Sequence, residues 1–395
     1  MVDSNIYPHF PLSRVSKSEL RRLCRTLWSW EFCSICEKQS ARCPSKDCAS
    51  HQEKRLNRFL DYYKRICATY EPCIEDGARP ILRTHEDLCS LIKAIREGSN
   101  VPRSELNSLT LIMSSTSPDR EKNIAISMAV DVLTMFGCGS DQGNPALLEQ
   151  GLNNAPWNPE ESLHQFVRNS FTEMNHPAFE DTSSTSYHEV CRALVARKLS
   201  KHAGLSFKAT ENLRHHLRLD RKEGHIQIFH YTSFIKEHLR CTRDCIDSTT
   251  DGSMCFPNGV LPRQLCLEVL DSIQKVLFPL TDKKSRALLL SLVSSEGFDP
   301  DTLRFESTSI RRPDEKDIPF LFLGDRLANL YAELENPQPR NWLDKWLQRK
   351  SNARHVMLTT LVGVLIAVLL GICGLALAGF QAWISWQQWK HPVSN

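Results

Sequence analysis

The sequence predicts a mainly α-helical protein with one small β-hairpin, winged-helix-like in outline, and a single C-terminal transmembrane helix. Three observations carry this. Apolar residues recur at i, i+3, i+4 and i+7 along most of the chain, the period of a helix with one buried face. One pair of stretches alternates apolar and polar residues, around Leu217/Leu219 and Ile226/Ile228, with the polar turn DRKEG between them. Finally, Leu358 to Phe380 (LTTLVGVLIAVLLGICGLALAGF) runs 23 residues without a charged side chain.

Residues 1–100 read as a small, Cys-rich helical region. Ser16 and Glu19 form a capping-box pattern, and Leu20, Leu23, Cys24, Leu27 and Trp28 make the stripe that follows it. A second helix is expected from about His51 to Cys67 on Leu56, Phe59, Leu60, Tyr63 and Cys67. A third starts at Thr84 with Leu88, Leu91, Ile92 and Ile95.

Residues 101–250 read as a helical domain carrying the hairpin near 213–231. Its first helix, over 121–136, puts Ile124, Met128, Val132, Leu133 and Phe136 on one side and is expected to stop at GCGSDQG. Gly137, Gly139 and Gly143 suit a helix cap and loop; no preceding strand and no GxGxxG or GxxxxGK[ST] spacing makes them a phosphate cradle. Helices over 160–176 and from Tyr187 to Lys201 come next, and after the hairpin Thr232 or Ser233 is placed to cap another.

Residues 251–336 form a third helical segment. Pro262 suits a first helical position, Leu265, Val269, Ile273, Val276 and Leu277 form the buried stripe, and Pro279 ends it. A leucine-rich helix after Thr281/Asp282, the charged STSIRRPDEKDIP read as a linker or loop, and a helix on Leu323, Leu327, Leu330, Tyr331 and Leu334 complete the segment.

Residues 337–356 are a basic, Trp-containing juxtamembrane segment, 357–381 the transmembrane helix and 382–395 a short lumenal tail. At about 1.5 Å per residue the uncharged run reaches roughly 35 Å, enough for a hydrocarbon core of about 30 Å. Trp342 and Trp346 before it and Trp383, Trp386 and Trp389 after it suit the headgroup layers. Arg340, Lys345, Arg349, Lys350 and Arg354 precede the span and Lys390 follows it, so the N-terminal bulk is expected in the cytosol. The position of the span predicts tail-anchored insertion, and the single lysine in the tail favours the endoplasmic reticulum or another secretory membrane. Along the span from Leu358 to Phe380, Gly363, Ala367 and Gly371 recur every fourth residue, a face on which two copies could approach as a homodimer.

Charge excludes little but directs the reading. Forty-nine Lys and Arg against 46 Asp and Glu give no reason to expect nucleic acid as a partner. MVDSNIYPHFPLSR lacks the features of a secretory signal, so the 15 cysteines, an odd count, are expected as thiols or metal ligands. The sharpest candidate site is Cys33-x2-Cys36-x6-Cys43-x4-Cys48, with His51 as a possible substitute ligand. Zinc wants four soft ligands in a tetrahedron, and a Cys-x2-Cys knuckle presents two from one turn; unliganded thiols in a loop are the alternative. His202, His215, His216, His225, His230 and His238 are not expected to share a metal, since His225 and His230 fall on opposite faces of a strand. No cofactor is expected beyond that structural zinc, and no nucleophile elbow, HExxH or phosphate loop marks an enzyme.

Two resemblances follow from these residues. LPRQLCLEVLDSIQKVLFPL, the stretch NWLDKWLQRK, the span and GFQAWISW together resemble a family of fungal single-pass membrane proteins with a C-terminal span. Leu261, Pro262, Arg263, Leu265, Leu267, Glu268, Leu270, Leu277, Phe278 and Pro279 carry that likeness, which implies a membrane anchor and brings no established activity with it. LRHHLRLDRKEGHIQIFHYTSFIKEHLR is similar, over Leu213, His215, Leu217, Ile226, Ile228, His230, Ser233, Phe234 and Leu239, to the segment after the ATPase core of fungal NACHT-type NTPases. An extra residue separates His230 from Ser233, and without a phosphate loop the likeness implies a winged-helix-like module and no nucleotide hydrolysis. The expected function is a membrane-tethered, non-enzymatic adaptor or sensor that binds the bilayer and protein partners. The alternative is a zinc-binding N-terminal module engaging nucleic acid or acting as a ligase-type adaptor.

Overall fold

Two reciprocal hydrogen bonds start the first helix. The Ser16 hydroxyl accepts from the Glu19 amide and the Glu19 carboxylate from the Ser16 amide, opening α1 (Lys17–Trp28), whose buried residues are Leu20, Leu23, Cys24, Leu27 and Trp28. The computed structural model describes residues 12–33, 35–36, 48–72, 80–109, 118–139, 155–173, 176–180, 182–244, 260–305, 310–337 and 355–390. Helices dominate them, with one small three-stranded sheet. The chain divides into two units, residues 1–337 and residues 338–395.

In the first unit α2 (Ser50–Glu53), α3 (Asn57–Ala68), α4 (His85–Glu97), α5 (Arg103–Leu109) and α6 (Asp119–Thr134) follow α1. Thr84 caps α4 in a second capping box with Asp87, and Leu88, Leu91, Ile92 and Ile95 are buried. The one helix expected over 51–67 is two, separated by a turn at 54–56. No glycine or proline marks that break; α2 is held to α1 by the Arg21–Glu53 ion pair at 3.1 Å. Helix α6 ends at Met135, left-handed at φ 56°, before the glycines expected to stop it. A non-glycine residue there costs about 1–2 kcal/mol, which full burial of the Met135 side chain offsets.

A short parallel pair, β1 (Cys138–Gly139) and β2 (Ala155–Pro156), leads to α7 (Leu163–Ser170), α8 (Pro177–Glu180), α9 (Thr185–Ala193) and α10 (Ala196–His202). The helix expected from Tyr187 to Lys201 is therefore split, with Leu194 buried between its halves. The expected hairpin exists as β4 (Leu219–Asp220) against β5 (His225–Phe229). It is not a projecting wing. Strand β3 (Ser206–Thr210), which carries only Phe207 as a buried residue, pairs in parallel with the other edge of β5, giving the order β3-β5-β4. Leu213–His215 is a 3₁₀ turn, outside the hairpin.

The cap expected on α11 (Thr232–Cys241) is absent: Tyr231 occupies the N-cap without a side-chain bond. The Ser233 hydroxyl instead donates to Asp299 at 2.5 Å, so a tertiary contact outcompeted the local one. Pro262 lies just outside α12 (Arg263–Asp271), which continues as a π turn over Ser272–Leu277. The expected residues Leu265, Val269, Ile273, Val276 and Leu277 are buried. Asp282 caps α13 (Lys283–Ser295), and α14 (Gly324–Glu335) closes the unit.

The segment read as a linker or loop is, over its described residues from 310 onward, a loop that is tied down. Arg263 grips Glu315 bidentately at 2.5 and 2.7 Å while donating to the carbonyls of Leu239 and Ile310 and to the Thr242 hydroxyl. Glu268 accepts the amides of Leu321, Phe322 and Leu323 at 2.8, 2.9 and 2.9 Å, ahead of α14. The segments read as separate helical regions share a core: Trp28 of α1 packs on Phe59 at 5.4 Å and on Phe234 of α11 at 6.0 Å. Cys24, Cys67, Cys89, Cys138 and Cys266 are buried in that core as small hydrophobes. The second unit is described over α15 (His355–Lys390).

Candidate functional site

Leu358, Gly363, Ala367, Gly371 and Phe380 lie on α15, whereas Trp342, Trp346, Arg340, Lys345, Arg349, Lys350 and Arg354 lie outside the described residues. Within α15, Leu361–Gln387, 27 residues, is the one described segment long and apolar enough to cross a membrane. It carries no Asp, Glu, Lys or Arg, and Val362, Leu370, Leu375 and Phe380 are exposed on every side of the helix. Such surface is stable in hydrocarbon and unstable in water. Gly363 and Gly371 stand on it with nothing within 4 Å of an added Cβ among the described residues. Trp383, Trp386 and Trp389 lie near its C-terminal end, with the Lys390 ammonium 4.4 Å from the Trp386 ring.

Of the thiol candidates, the structure brings Cys33, Cys36 and Cys48 together, their sulfurs all within 4.8 Å of one another. Cys43 lies outside the described residues, and His51 is exposed and outside the cluster. The trio is built against α1. The Arg21 guanidinium donates to the Cys36 carbonyl and to Glu53, and the guanidinium groups of Arg21 and Arg25 sit 5.1 and 5.3 Å from the Phe32 ring. The Cys33 amide points at the Cys48 sulfur at 3.4 Å, the bond that stabilises a thiolate, and Cys36 donates to the Ser50 hydroxyl at 3.4 Å. A tetrahedral zinc at about 2.3 Å from each sulfur would hold them about 3.8 Å apart, within the observed spread.

Residue types of a nucleophilic triad also meet, at Ser233, His230 and Asp299, but the hydrogen bonds run the wrong way. Ser233 donates directly to the Asp299 carboxylate, and His230 Nδ1 accepts the Asp299 amide at 3.0 Å. Nothing couples the hydroxyl to the imidazole, which burial holds down near a pKa of about 3. Lys236 is equally engaged: its ammonium donates to the Asp301 carboxylate at 2.5 Å and to the carbonyls of Asp301 and Arg304. These groups staple α11 to the 3₁₀ turn at Pro300–Leu303.

The residues carrying the first sequence likeness have structural work, since Arg263 and Glu268 are the two ties described above. No protein-family model, no curated protein and no solved structure matches the chain.

Proposed function

We propose that this chain is a single-pass membrane protein whose N-terminal unit acts as a non-enzymatic protein-interaction adaptor or sensor at a membrane surface. The observation that carries the reading is the uncharged, all-round apolar surface of Leu361–Gln387. The basic residues Arg340, Lys345, Arg349, Lys350 and Arg354 before the span support a cytosolic N-terminal side, with a secretory-pathway membrane favoured. Engagement of Ser233, His230, Asp299 and Lys236 in internal staples supports a role in binding over catalysis. The test is carbonate extraction and protease protection of the full chain, tagged at its C-terminus, in microsomes. The reading expects a carbonate-resistant chain with a protected tag and a digestible N-terminal part; release by carbonate would sink it.

The thiol cluster favours a second reading, a zinc-dependent N-terminal module used for nucleic acid or as a ligase-type adaptor. Cys33, Cys36 and Cys48 would supply three thiolates, with Cys43 or a solvent molecule the fourth ligand. Metal analysis of the full chain purified without chelator should find stoichiometric zinc that Cys36→Ser loses. Metal-free protein whose melting temperature is indifferent to added zinc would end this reading.

A further inference from the structure

Within the N-terminal unit lies a pocket of about 560 Å³. Arg214, His215, Arg218 and Arg221, from the chain that enters and leaves β4, form one side, and Arg326 and Asn329 of α14 the other. Four arginines and a histidine thus line one space, and no Asp or Glu is among its lining residues. Like charges gathered this closely repel one another unless something of opposite sign sits among them.

The repulsion is visible at Arg326, Arg214 and His215. Burial first, then Arg214 and Arg218, pull the Arg326 guanidinium down to about 10, and Arg214 is lowered by burial and by Arg218. Burial and the three arginines Arg218, Arg214 and Arg326 push His215 down to about 4, so it is neutral at physiological pH. Two acids stand near the rim. Glu333 is 3.9 Å from Arg221, and the Asp220 carboxylate, close enough to feel Arg218, accepts the amides of Lys222 and Glu223 at 2.9 and 3.1 Å.

The arginines are positioned by rigid elements. Arg326 Nη1 donates to the carbonyls of Arg214 and His216 at 2.8 and 2.5 Å, which locks α14 to the loop before β4. That loop is strained. Leu217 is left-handed at φ 61° and, with Arg218, opposes the single residue Gln227: the Leu217 amide donates to the Gln227 carbonyl, and the Gln227 amide to that of Arg218. This is a β-bulge with leucine where glycine is usual, a conformation that costs about 1–2 kcal/mol. Bulges turn side chains, and strain of this kind gathers at binding sites.

We propose that this pocket binds a compact, multiply charged, phosphate-bearing small molecule through Arg214, Arg218, Arg221 and Arg326. Guanidinium forks match phosphate oxygens in pairs, and a dispersed set of them suits several phosphates on one scaffold. Ser170 and Asn329 add neutral hydrogen-bonding groups. No Phe, Tyr or Trp lines the space, and the half-buried His215 imidazole is its one aromatic ring, so it offers no paired stacking faces for a nucleobase and the scaffold is better a polyol. The chemistry is shared by a soluble polyol phosphate and a phosphoinositide headgroup. The inference is independent of the anchor and of the zinc reading.

The test uses the full chain in phosphatidylcholine nanodiscs. One arm titrates inositol hexakisphosphate by calorimetry; the other measures binding to vesicles with and without phosphatidylinositol 4,5-bisphosphate. Saturable binding that weakens with salt is expected in at least one arm, and Arg218→Gln should weaken it about tenfold or more. Arg218 is the primary probe because its side chain is exposed, whereas loss of Arg326 frees two carbonyls and endangers the fold. Binding in the soluble arm alone assigns a solute, and in the vesicle arm alone a lipid; both support the pocket. No saturable binding in either arm, or binding that both Arg218→Gln and Arg221→Gln leave unchanged, would overturn it.

Discussion

Replacing His216 by asparagine should change the acid sensitivity of the fold by a calculable amount. His216 is fully buried, its Nε2 bonded to the Ser272 hydroxyl at 2.7 Å and its Nδ1 to the Phe229 amide at 3.1 Å. An amide can only donate, so Nδ1 accepts and Nε2 carries the proton, which it gives to Ser272; Ser272 in turn donates to the Val269 carbonyl at 2.8 Å. A second proton would land on Nδ1, facing the Phe229 amide, in a site where burial and then Arg326 hold the pKa near 3. In the unfolded chain the imidazole titrates near 6.5. Between those values the unfolded state binds the extra proton and the native state does not, so stability falls as pH falls through the window. From pH 7.5 to 5.5 the native term is negligible and the unfolded term changes by about a factor of ten, or about 1.4 kcal/mol. Asparagine does not titrate. The stability gap between wild type and His216→Asn should therefore shrink by about 1.4 kcal/mol over that range, whatever its size at neutral pH. Denaturant unfolding of both full chains in nonionic detergent, followed by tryptophan fluorescence, measures it. A gap that stays constant or widens would refute a neutral, buried imidazole.

Two further outcomes follow from the ties around α12. Glu268→Gln should destabilise by about 1–3 kcal/mol, since one carbonyl oxygen cannot replace the two that serve three amides; because burial pushes Glu268 up to about 7, the wild type loses stability as pH rises from about 4.5 to 7, and the gap to the variant should narrow there. Arg263→Lys keeps the charge but loses the fork on Glu315 and the bond to Ile310, so unfolding in denaturant should show a loss of about 3 kcal/mol; a loss below about 0.5 kcal/mol would mean the contact is a surface pair.

Local signals were readable wherever a local rule sufficed. Ser16 and Glu19, Thr84 and the stripes behind them needed only helix spacing and a cap. The uncharged run of α15 needed only length. Strand β3 was hidden because Ser206 and Lys208 flank its one buried side chain, Phe207, and its parallel pairing with β5 is non-local. The break at 54–56 has no glycine or proline to announce it, and Ser233 looked like a cap until Asp299 took its hydroxyl. For the thiols, spacing alone singled out Cys33, Cys36, Cys43 and Cys48, and the fold brings Cys33, Cys36 and Cys48 within reach of one another. The arginine pocket was half visible: Arg214, Arg218 and Arg221 recur through RHHLRLDR, but Arg326 arrives on a helix far downstream, and only the fold places it opposite them.

The thiols shut inside the core give the folded unit a chemical clock. Burial pushes Cys67 and Cys266 up to about 12 and Cys89 and Cys138 up to about 11, so almost none of each is thiolate at neutral pH. Oxidants and alkylating reagents must wait for the core to open before they meet these sulfurs. Each labelled cysteine then records one opening event at a known depth, and oxidative damage to this protein is rationed by how often it breathes.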